Sequence, residues 1–214
     1  MNSTEKEISY TATNSYSTLN TLSNQTKNIW FVCHGMGYLS RYFLRYFSSL
    51  SPEENYVIAP QAQSKYYIAP KMKHVGASWL TKENTLKETE NVMRYFDAIF
   101  NTEKITPDKN LMLLGYSQGV SVVMRYMAKR QLSCQRLIIH SGGIPKELTP
   151  KDFEYLNLKT KVNLVYGTQD EYLDHNRIEQ EELKAKALFG DRLSLHPFEG
   201  KHEVNSSLIK VFSE

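Results

Sequence analysis

The sequence predicts an α/β protein, a three-layer sandwich in which a mostly parallel central sheet is covered by helices on both faces. Two observations predict this fold class. Short apolar runs rich in β-branched and aromatic residues alternate with longer stretches of helical periodicity, which is typical of parallel strands joined by helical crossovers. The runs are almost continuously apolar rather than alternating, as expected for strands that are buried on both faces.

Five clear strands and a weaker sixth are predicted in this way. They span residues 29–33, 56–59, 111–114, 136–139, 162–166 and 193–197. Apolar residues at helical spacing predict three helices between or after these strands. The helices span residues 85–100, 118–130 and 174–189.

The 214 residues fit a single domain. The α/β domain is expected to span residues 28–214, because the alternation of strand and helix starts there. Residues 1–27 contain one strand candidate, Ile8–Ala12, and are predicted to form either an edge hairpin or a loose arm. No stretch between strands is long enough for a substantial cap domain, so an open site is expected.

Composition excludes several classes of function. The 26 basic and 23 acidic residues give a formal net charge of +3 that is spread along the chain, which argues against nucleic-acid binding. The amino-terminal residues are polar and no apolar run could cross a bilayer, so a soluble cytoplasmic protein without integral membrane contact is expected. Cys33 and Cys134 lack the spacing of a metal site, and no metal or organic cofactor is predicted. The oligomeric state stays open.

The main chemical motif is the segment Gly115–Gly119, with the sequence Gly-Tyr-Ser-Gln-Gly, between the third clear strand and a predicted helix. In an open parallel sheet, ligands bind beyond the carboxyl ends of the strands. A sharp strand-to-helix turn at that edge exposes the serine hydroxyl, and glycines two positions before and after it relieve crowding. An ordinary glycine-bracketed turn is the alternative interpretation. The context favours Ser117 as a nucleophile.

A nucleophilic serine needs a base and a carboxylate that orients the base. On such a fold the acid follows the serine in the chain, and the histidine follows the acid. Asp170 comes after the fifth strand and His202 after the sixth, so both are predicted at the same edge of the sheet as Ser117. Glu171 and Asp174 are competing acids, and Asp174 is the better candidate for a helix cap.

His202 has the best position among the six histidines. His140 precedes the candidate acid, which would break the expected chain order. His34 begins a glycine turn at which backbone donors are expected instead of an imidazole. The other three have unsuitable positions: His74, His175 and His196.

A tetrahedral intermediate also needs two donors aimed at its oxyanion. One is expected to be the amide of Gln118, the residue after the nucleophile. The other is expected from the turn His34–Gly37 after the first clear strand, because glycines let backbone N–H groups approach a bound oxygen closely. A plain glycine turn is the alternative interpretation of that segment.

Together these motifs resemble the α/β-hydrolase fold and, within it, the phospholipase/carboxylesterase group, which includes bacterial carboxylesterases and acyl-protein thioesterases. The similarity extends from about residue 28 to the end of the chain. The matching segments are 34–37, 115–119, 141–145, 167–170 and 200–202. The resemblance implies a catalytic triad of Ser117, Asp170 and His202. It further implies an oxyanion hole made by the amides of Met36 and Gln118.

The resemblance also implies residues that contact the substrate. Gly35, Gly37 and Tyr38 belong to the loop that lines the site. Members of the group usually have an acidic residue at the position of Tyr38, so the shape and polarity of this rim differ here. Trp79 resembles the aromatic residue near the acyl site of the group, and a buried core tryptophan is the alternative interpretation.

The sequence therefore predicts a serine hydrolase that cleaves carboxylic or thio esters of small or exposed acyl substrates through an acyl-enzyme on Ser117. The expected partner is a small-molecule ester or acyl compound. Two alternatives stay open. One is an acyltransferase or thioesterase that uses the same triad, and the other is a non-catalytic binding protein with the same scaffold.

Overall fold

Strands and helices alternate along residues 3–106 and 108–214, which the computed structural model describes. The strands in this part of the chain are β1 (Tyr16–Leu19), β2 (Asn28–Cys33), β3 (Asn55–Pro60), β4 (Ser64–Tyr67), β5 (Val75–Ser78), β6 (Asn110–Tyr116), β7 (Arg136–His140), β8 (Lys161–Gly167) and β9 (Leu193–Phe198). The α-helices are α1 (Ser40–Phe43), α2 (Thr85–Glu103), α3 (Gln118–Arg130), α4 (His175–Phe189) and α5 (Ser206–Phe212). Short 3₁₀ helices span Leu44–Phe47, Pro150–Phe153 and Gly190–Arg192.

Seven of these strands form one sheet in the order β1-β3-β2-β6-β7-β8-β9. All neighbouring pairs are parallel except β1 and β3, which are antiparallel. The strands β3 and β6 lie on opposite sides of β2, so the direction in which the sheet grows reverses there. In open parallel sheets, ligands bind at such a reversal, beyond the carboxyl ends of the strands.

Helices cover both faces of the sheet, which explains the continuous apolar runs. Side chains alternate along a strand, so in β2 Ile29 and Phe31 belong to one core and Trp30 and Val32 to the other. The helices α2, α3 and α4 pack into the first core, and α1 and α5 pack into the second. The predicted α/β sandwich with a mostly parallel sheet is confirmed.

The predicted strands and helices are all present, with ends that differ by at most a few residues. The strand candidate Ile8–Ala12 is wrong, because the edge strand is Tyr16–Leu19 instead. Ile8 and Tyr10 are 89% and 83% exposed, whereas Tyr16 packs against the first core. Burial against the sheet therefore decides which segment forms the strand.

A two-stranded hairpin of β4 and β5 separates β3 from α2, and the sequence does not predict it. It packs on the loop after β2: a Cβ built on Gly76 would lie 2.7 Å from the Cα of Gly37. The amide of Gly37 also donates to the carbonyl of Ala77 at 2.9 Å. The hairpin thus supports a loop at the carboxyl edge of the sheet.

Candidate active site

The turn between β6 and α3 holds Ser117 in an unusual backbone conformation, with φ 52° and ψ −119°. A non-glycine residue at such angles costs on the order of 1–3 kcal/mol, so the surrounding structure must enforce it. Glycines permit the turn. A Cβ at Gly115 would lie 2.4 Å from the Cα of Val120, and one at Gly119 would lie 2.0 Å from the carbonyl oxygen of Cys33. Larger residues at either position would push the helix away from the sheet.

Three side chains from separate loops meet at this edge. The Oγ of Ser117 lies 2.9 Å from the Nε2 of His202, which follows β9. The Nδ1 of His202 lies 2.7 Å from the Oδ2 of Asp170, which follows β8. The structure therefore brings together the serine, acid and histidine in the order that the sequence predicts.

Asp170 is the acid that reaches His202, and its side chain is fully buried. Its other oxygen, Oδ1, accepts the backbone N–H groups of Tyr172 at 2.8 Å and Leu173 at 3.2 Å. Asp174, the competing candidate, caps α4 by accepting the N–H of Arg177 at 2.8 Å. The carboxylate of Asp170 is thus fixed on both sides and aimed at the imidazole.

The Asp170 and His202 loops are tied to each other by backbone hydrogen bonds. The N–H of Gln169 donates to the carbonyl of Gly200 at 2.9 Å, and that of Thr168 donates to the carbonyl of Phe198 at 2.9 Å. A Cβ at Gly167 would come within 2.4 Å of the carbonyl oxygen of Gly200, so the two loops are in close contact.

Two other histidines near this edge are buried and uncharged. His34 accepts the N–H of Ala62 at 3.2 Å, and burial lowers its pKa to about 4. His140 accepts the N–H of Asn205 at 3.0 Å, and burial, with the nearby His202, lowers its pKa to about 3. Because the Nε2 of each ring accepts a hydrogen bond, neither is oriented as a base toward Ser117.

The two expected oxyanion donors belong to segments that adjoin the serine. Gln118 begins α3, so its N–H has no partner within the helix. Met36 follows Gly35, at which a built Cβ would lie 3.1 Å from the Cβ of Ser117. The structure therefore places the segments that carry both expected donors next to Ser117.

Trp79 does not line the site, which corrects its expected contact with the substrate. Its side chain is 0% exposed, and its Nε1 donates to the carbonyl of His34 at 2.7 Å. Its ring packs on His34 and Phe96, at centroid distances of 5.0 Å and 5.6 Å. The alternative interpretation, a buried core tryptophan, is the one that its burial supports.

The backbone around Trp79 nevertheless contacts the residue after the nucleophile. The Oε1 of Gln118 accepts the N–H of Trp79 at 2.8 Å, and its Nε2 donates to the carbonyl of Leu80 at 2.7 Å. This side chain joins the start of α3 to the end of the hairpin. No local pattern indicates that contact, because the partners are about forty positions apart.

Tyr38 is half-buried at the rim. Its ring packs on Phe43 and Tyr116, and its hydroxyl lies 3.3 Å from that of Tyr46. Burial and the neighbouring hydroxyl raise the pKa of Tyr38 to about 12. The rim is therefore uncharged at this position at neutral pH.

Two further tyrosines contact the imidazole of His202 and were not singled out from the sequence. The ring of Tyr172 packs edge-on at a centroid distance of 4.8 Å and is 72% exposed. The ring of Tyr116 lies at 5.4 Å and is buried. Tyr172 lies two positions after the predicted acid, and this position in the loop could have indicated its contact with His202.

Within residues 3–106 and 108–214, no three His, Cys, Asp or Glu side chains are grouped so that they could hold a metal ion. Among the helices of the same ranges, none combines the length and the apolar character needed to cross a membrane.

A mostly parallel sheet with a serine turn after β6, an acid after β8 and a histidine after β9 defines the α/β-hydrolase class. The chain belongs to the phospholipase/carboxylesterase family, whose sequence model matches residues 14–213. No curated protein sequence matches the chain.

Solved structures with a similar fold include a thioesterase, an esterase and a phospholipase/carboxylesterase. Acyl-protein thioesterase 2 of Zea mays superposes with a TM-score of 0.68 at 13% identity, over 94% of this chain and 96% of that one. Esterase PE8 has a TM-score of 0.68 at 20% identity, with 94% and 98% covered. The phospholipase/carboxylesterase of Dyadobacter fermentans has a TM-score of 0.64 at 18% identity, with 95% and 96% covered. At these identities the likeness establishes the fold.

Proposed function

We propose that this protein is a serine hydrolase that cleaves carboxylic esters or thioesters through an acyl-enzyme on Ser117. The observation that carries the proposal is the continuous hydrogen-bonded series of Ser117, His202 and Asp170, with contacts of 2.9 Å and 2.7 Å. Both distances lie in the range required for proton transfer by a general base. Family membership supports the same chemistry.

In the first half-reaction, the Oγ of Ser117 attacks the carbonyl carbon of the ester while the Nε2 of His202 takes the proton of the serine hydroxyl. The amides of Met36 and Gln118 donate to the oxyanion of the tetrahedral intermediate. The imidazolium then gives its proton to the departing alkoxide or thiolate, and the acyl-enzyme remains.

In the second half-reaction, water attacks the acyl carbon while His202 takes its proton. As the second intermediate collapses, the bond between the acyl carbon and Oγ breaks, the imidazolium returns its proton to Ser117, and the acid is released. Asp170 holds the ring in the tautomer that presents Nε2 to the serine and stabilises the imidazolium. Asp170 suits this role because it is buried and its Oδ1 accepts two backbone N–H groups. These contacts fix the carboxylate and leave Oδ2 in contact with the Nδ1 of His202.

Exposed apolar side chains next to the triad support a small or exposed acyl substrate. Tyr172 beside His202 is 72% exposed, and Met36 in the loop next to Ser117 is 59% exposed. Such side chains offer apolar contact to an acyl group that approaches from solvent. Gly35, Gly37 and Tyr38 belong to the same loop and are proposed to line its path.

Hydrolysis of p-nitrophenyl acetate by a Ser117→Ala variant tests the proposal. We expect turnover to fall by about a millionfold, because the triad acts as a unit. Ser121→Ala is the matched control, since Ser121 lies one turn further along α3 and bonds to Arg125. Equal rates for Ser117→Ala and the parent would refute the proposal.

A fluorophosphonate probe separates an enzyme from a binding protein. We expect labelling of the parent and of Ser121→Ala, and none of Ser117→Ala. A folded parent that does not react with the probe would support the non-catalytic alternative. Paired oxyesters and thioesters with the same acyl group, compared by kcat/KM, then measure the preference for the leaving group.

A further inference from the structure

The loop that carries His202 is held by a buried tyrosine next to the nucleophile. The hydroxyl of Tyr116 donates to the backbone carbonyl of His202 at 2.9 Å, across 86 positions in the chain. Burial raises the pKa of Tyr116 above its usual value, so the hydroxyl keeps its proton and remains a donor. This bond acts on the backbone of His202 and leaves both ring nitrogens to Ser117 and Asp170.

A second side chain holds the same loop three residues further on. The Nε2 of His140 accepts the N–H of Asn205 at 3.0 Å, and its Nδ1 lies 3.0 Å from the Oγ of Ser141. His140 is 1% exposed, so water does not replace these contacts. Asn205 in turn caps α5 by accepting the N–H of Leu208 at 3.0 Å.

The two side chains are neighbours on the sheet and are connected to the nucleophile. Tyr116 on β6 pairs with His140 on β7, and their rings pack edge-on with centroids 5.3 Å apart. The N–H of Ser117 donates to the carbonyl of His140 at 2.8 Å. Tyr116 and His140, which both contact the His202 loop, are therefore a paired position of the sheet, and this pair also binds the backbone of Ser117.

The geometry points to Tyr116 and His140 as positioning residues that hold the loop of residues 202–205 so that the imidazole of His202 stays in register with Ser117. This inference rests on the proposed function. The loop has no helix or strand from 199 to 205, so its position depends on such contacts. A misplacement of about 1 Å at a reacting group can cost about a hundredfold in rate.

Tyr116→Phe tests the first contact, because it keeps the ring and removes only the donor. We expect kcat for p-nitrophenyl acetate to fall about ten- to a hundredfold, with KM changed less than about twofold. Tyr155→Phe is the matched control, since the hydroxyl of Tyr155 donates to the carbonyl of Met127 at 2.7 Å away from the triad. Equal kcat in the two variants would overturn the inference.

The same substitution in a His202→Ala background separates positioning from general destabilisation. If Tyr116 acts through His202, Tyr116→Phe leaves the residual activity of His202→Ala unchanged. A further loss of the same size as in the parent would contradict the inference.

His140 is tested by two replacements. The amide oxygen of His140→Gln can accept the N–H of Asn205, whereas His140→Leu offers no acceptor. We expect the Gln variant to keep a kcat several-fold above that of the Leu variant, once circular dichroism shows both to be folded. Equal values would remove His140 from the inference.

The failure of the proposed function and the failure of this inference give different results. If Ser117→Ala were as active as the parent, the proposed function would fail. An inactive Ser117→Ala with a fully active Tyr116→Phe would refute the positioning role alone.

Discussion

Gly119 lies directly against the backbone of Cys33, and a Cβ built on Gly119 would come within 2.0 Å of the Cys33 carbonyl oxygen. Gly119 belongs to the first turn of α3, and Cys33 ends β2 just before the loop that carries Met36. This contact therefore sets the distance between the nucleophile and the expected oxyanion loop. The size of the residue at position 119 therefore controls where the nucleophile and the loop of Met36 lie relative to each other.

Gly119→Ala is expected to impair catalysis more than stability alone explains. The added Cβ meets backbone, which can only move as a unit, and overpacking of this kind costs about 1–3 kcal/mol of unfolding free energy. The shift of α3 away from β2 also moves the amide of Gln118, and loss of one oxyanion donor costs about a hundred- to a thousandfold in kcat. Urea unfolding and kcat measure the two effects.

The control for Gly119→Ala is Ser121→Thr, which adds a carbon to a half-buried position of the same helix. We expect it to keep parental kcat. A Gly119→Ala enzyme with parental kcat would show that the helix and strand can separate without moving the donors.

Asp170→Asn is expected to lower kcat by about ten-thousandfold, because the amide favours the wrong tautomer of the partner imidazole. Asp174→Asn is a matched control, since Asn caps a helix as well as Asp does, and we expect it to keep parental activity. Steady-state kinetics on one ester compares them. The reverse pattern would make Asp174 the functional acid.

Stability is expected to fall as the pH drops below about 6.5, because two buried histidines are uncharged in the folded protein. Burial lowers the pKa of His140 to about 3 and that of His34 to about 4 from 6.5. The unfolded chain binds the protons first, so the stabilisation is complete above 6.5 and is lost toward the folded pKa values. Each ring contributes a slope of about 1.4 kcal/mol per pH unit within its window.

His140→Gln isolates one of these slopes, because glutamine does not titrate. We expect its free energy of unfolding to vary with pH less steeply than that of the parent, by about 1.4 kcal/mol per unit between about pH 4.5 and 6. Urea unfolding at a series of pH values gives both slopes. Parallel curves would mean that His140 binds a proton as readily in the folded protein as in the unfolded chain.

The sequence predicts the parts of the fold that local pattern encodes. Strands β2, β6 and β8 are buried on both faces, and their apolar runs locate them to within two residues. The hairpin strand β4 is Ser-Lys-Tyr-Tyr, and all four of its residues are exposed, so it has no buried apolar run and depends on pairing with β5. The edge strand was misplaced for a similar reason, since only contact with the sheet distinguishes Tyr16–Leu19 from its neighbours.

The candidate site also has residues that the sequence predicts and residues that it does not. Ser117, Asp170 and His202 each follow a recognisable strand, and the topology of a parallel sheet brings those loops to one edge. Tyr116 and His140 reach the His202 loop through hydrogen bonds that span 86 and 65 positions, and no local pattern encodes such pairs. Their contacts become visible only once the strands are placed side by side.

Trp79→Phe is expected to reduce stability without changing the choice of substrate. The indole N–H donates to the carbonyl of His34, and leaving that buried acceptor unpaired costs about 1–3 kcal/mol. A side chain that lines an acyl pocket would instead change the ratio of kcat/KM for acetyl and octanoyl esters by about tenfold or more.

Tyr172→Ala is the contrasting variant for Trp79→Phe. Tyr172 is 72% exposed beside His202, so we expect its replacement to change that ratio and leave stability nearly unaltered. A ratio that shifts in Trp79→Phe and not in Tyr172→Ala would restore Trp79 to the acyl site, because burial in the core would then fail to describe its role.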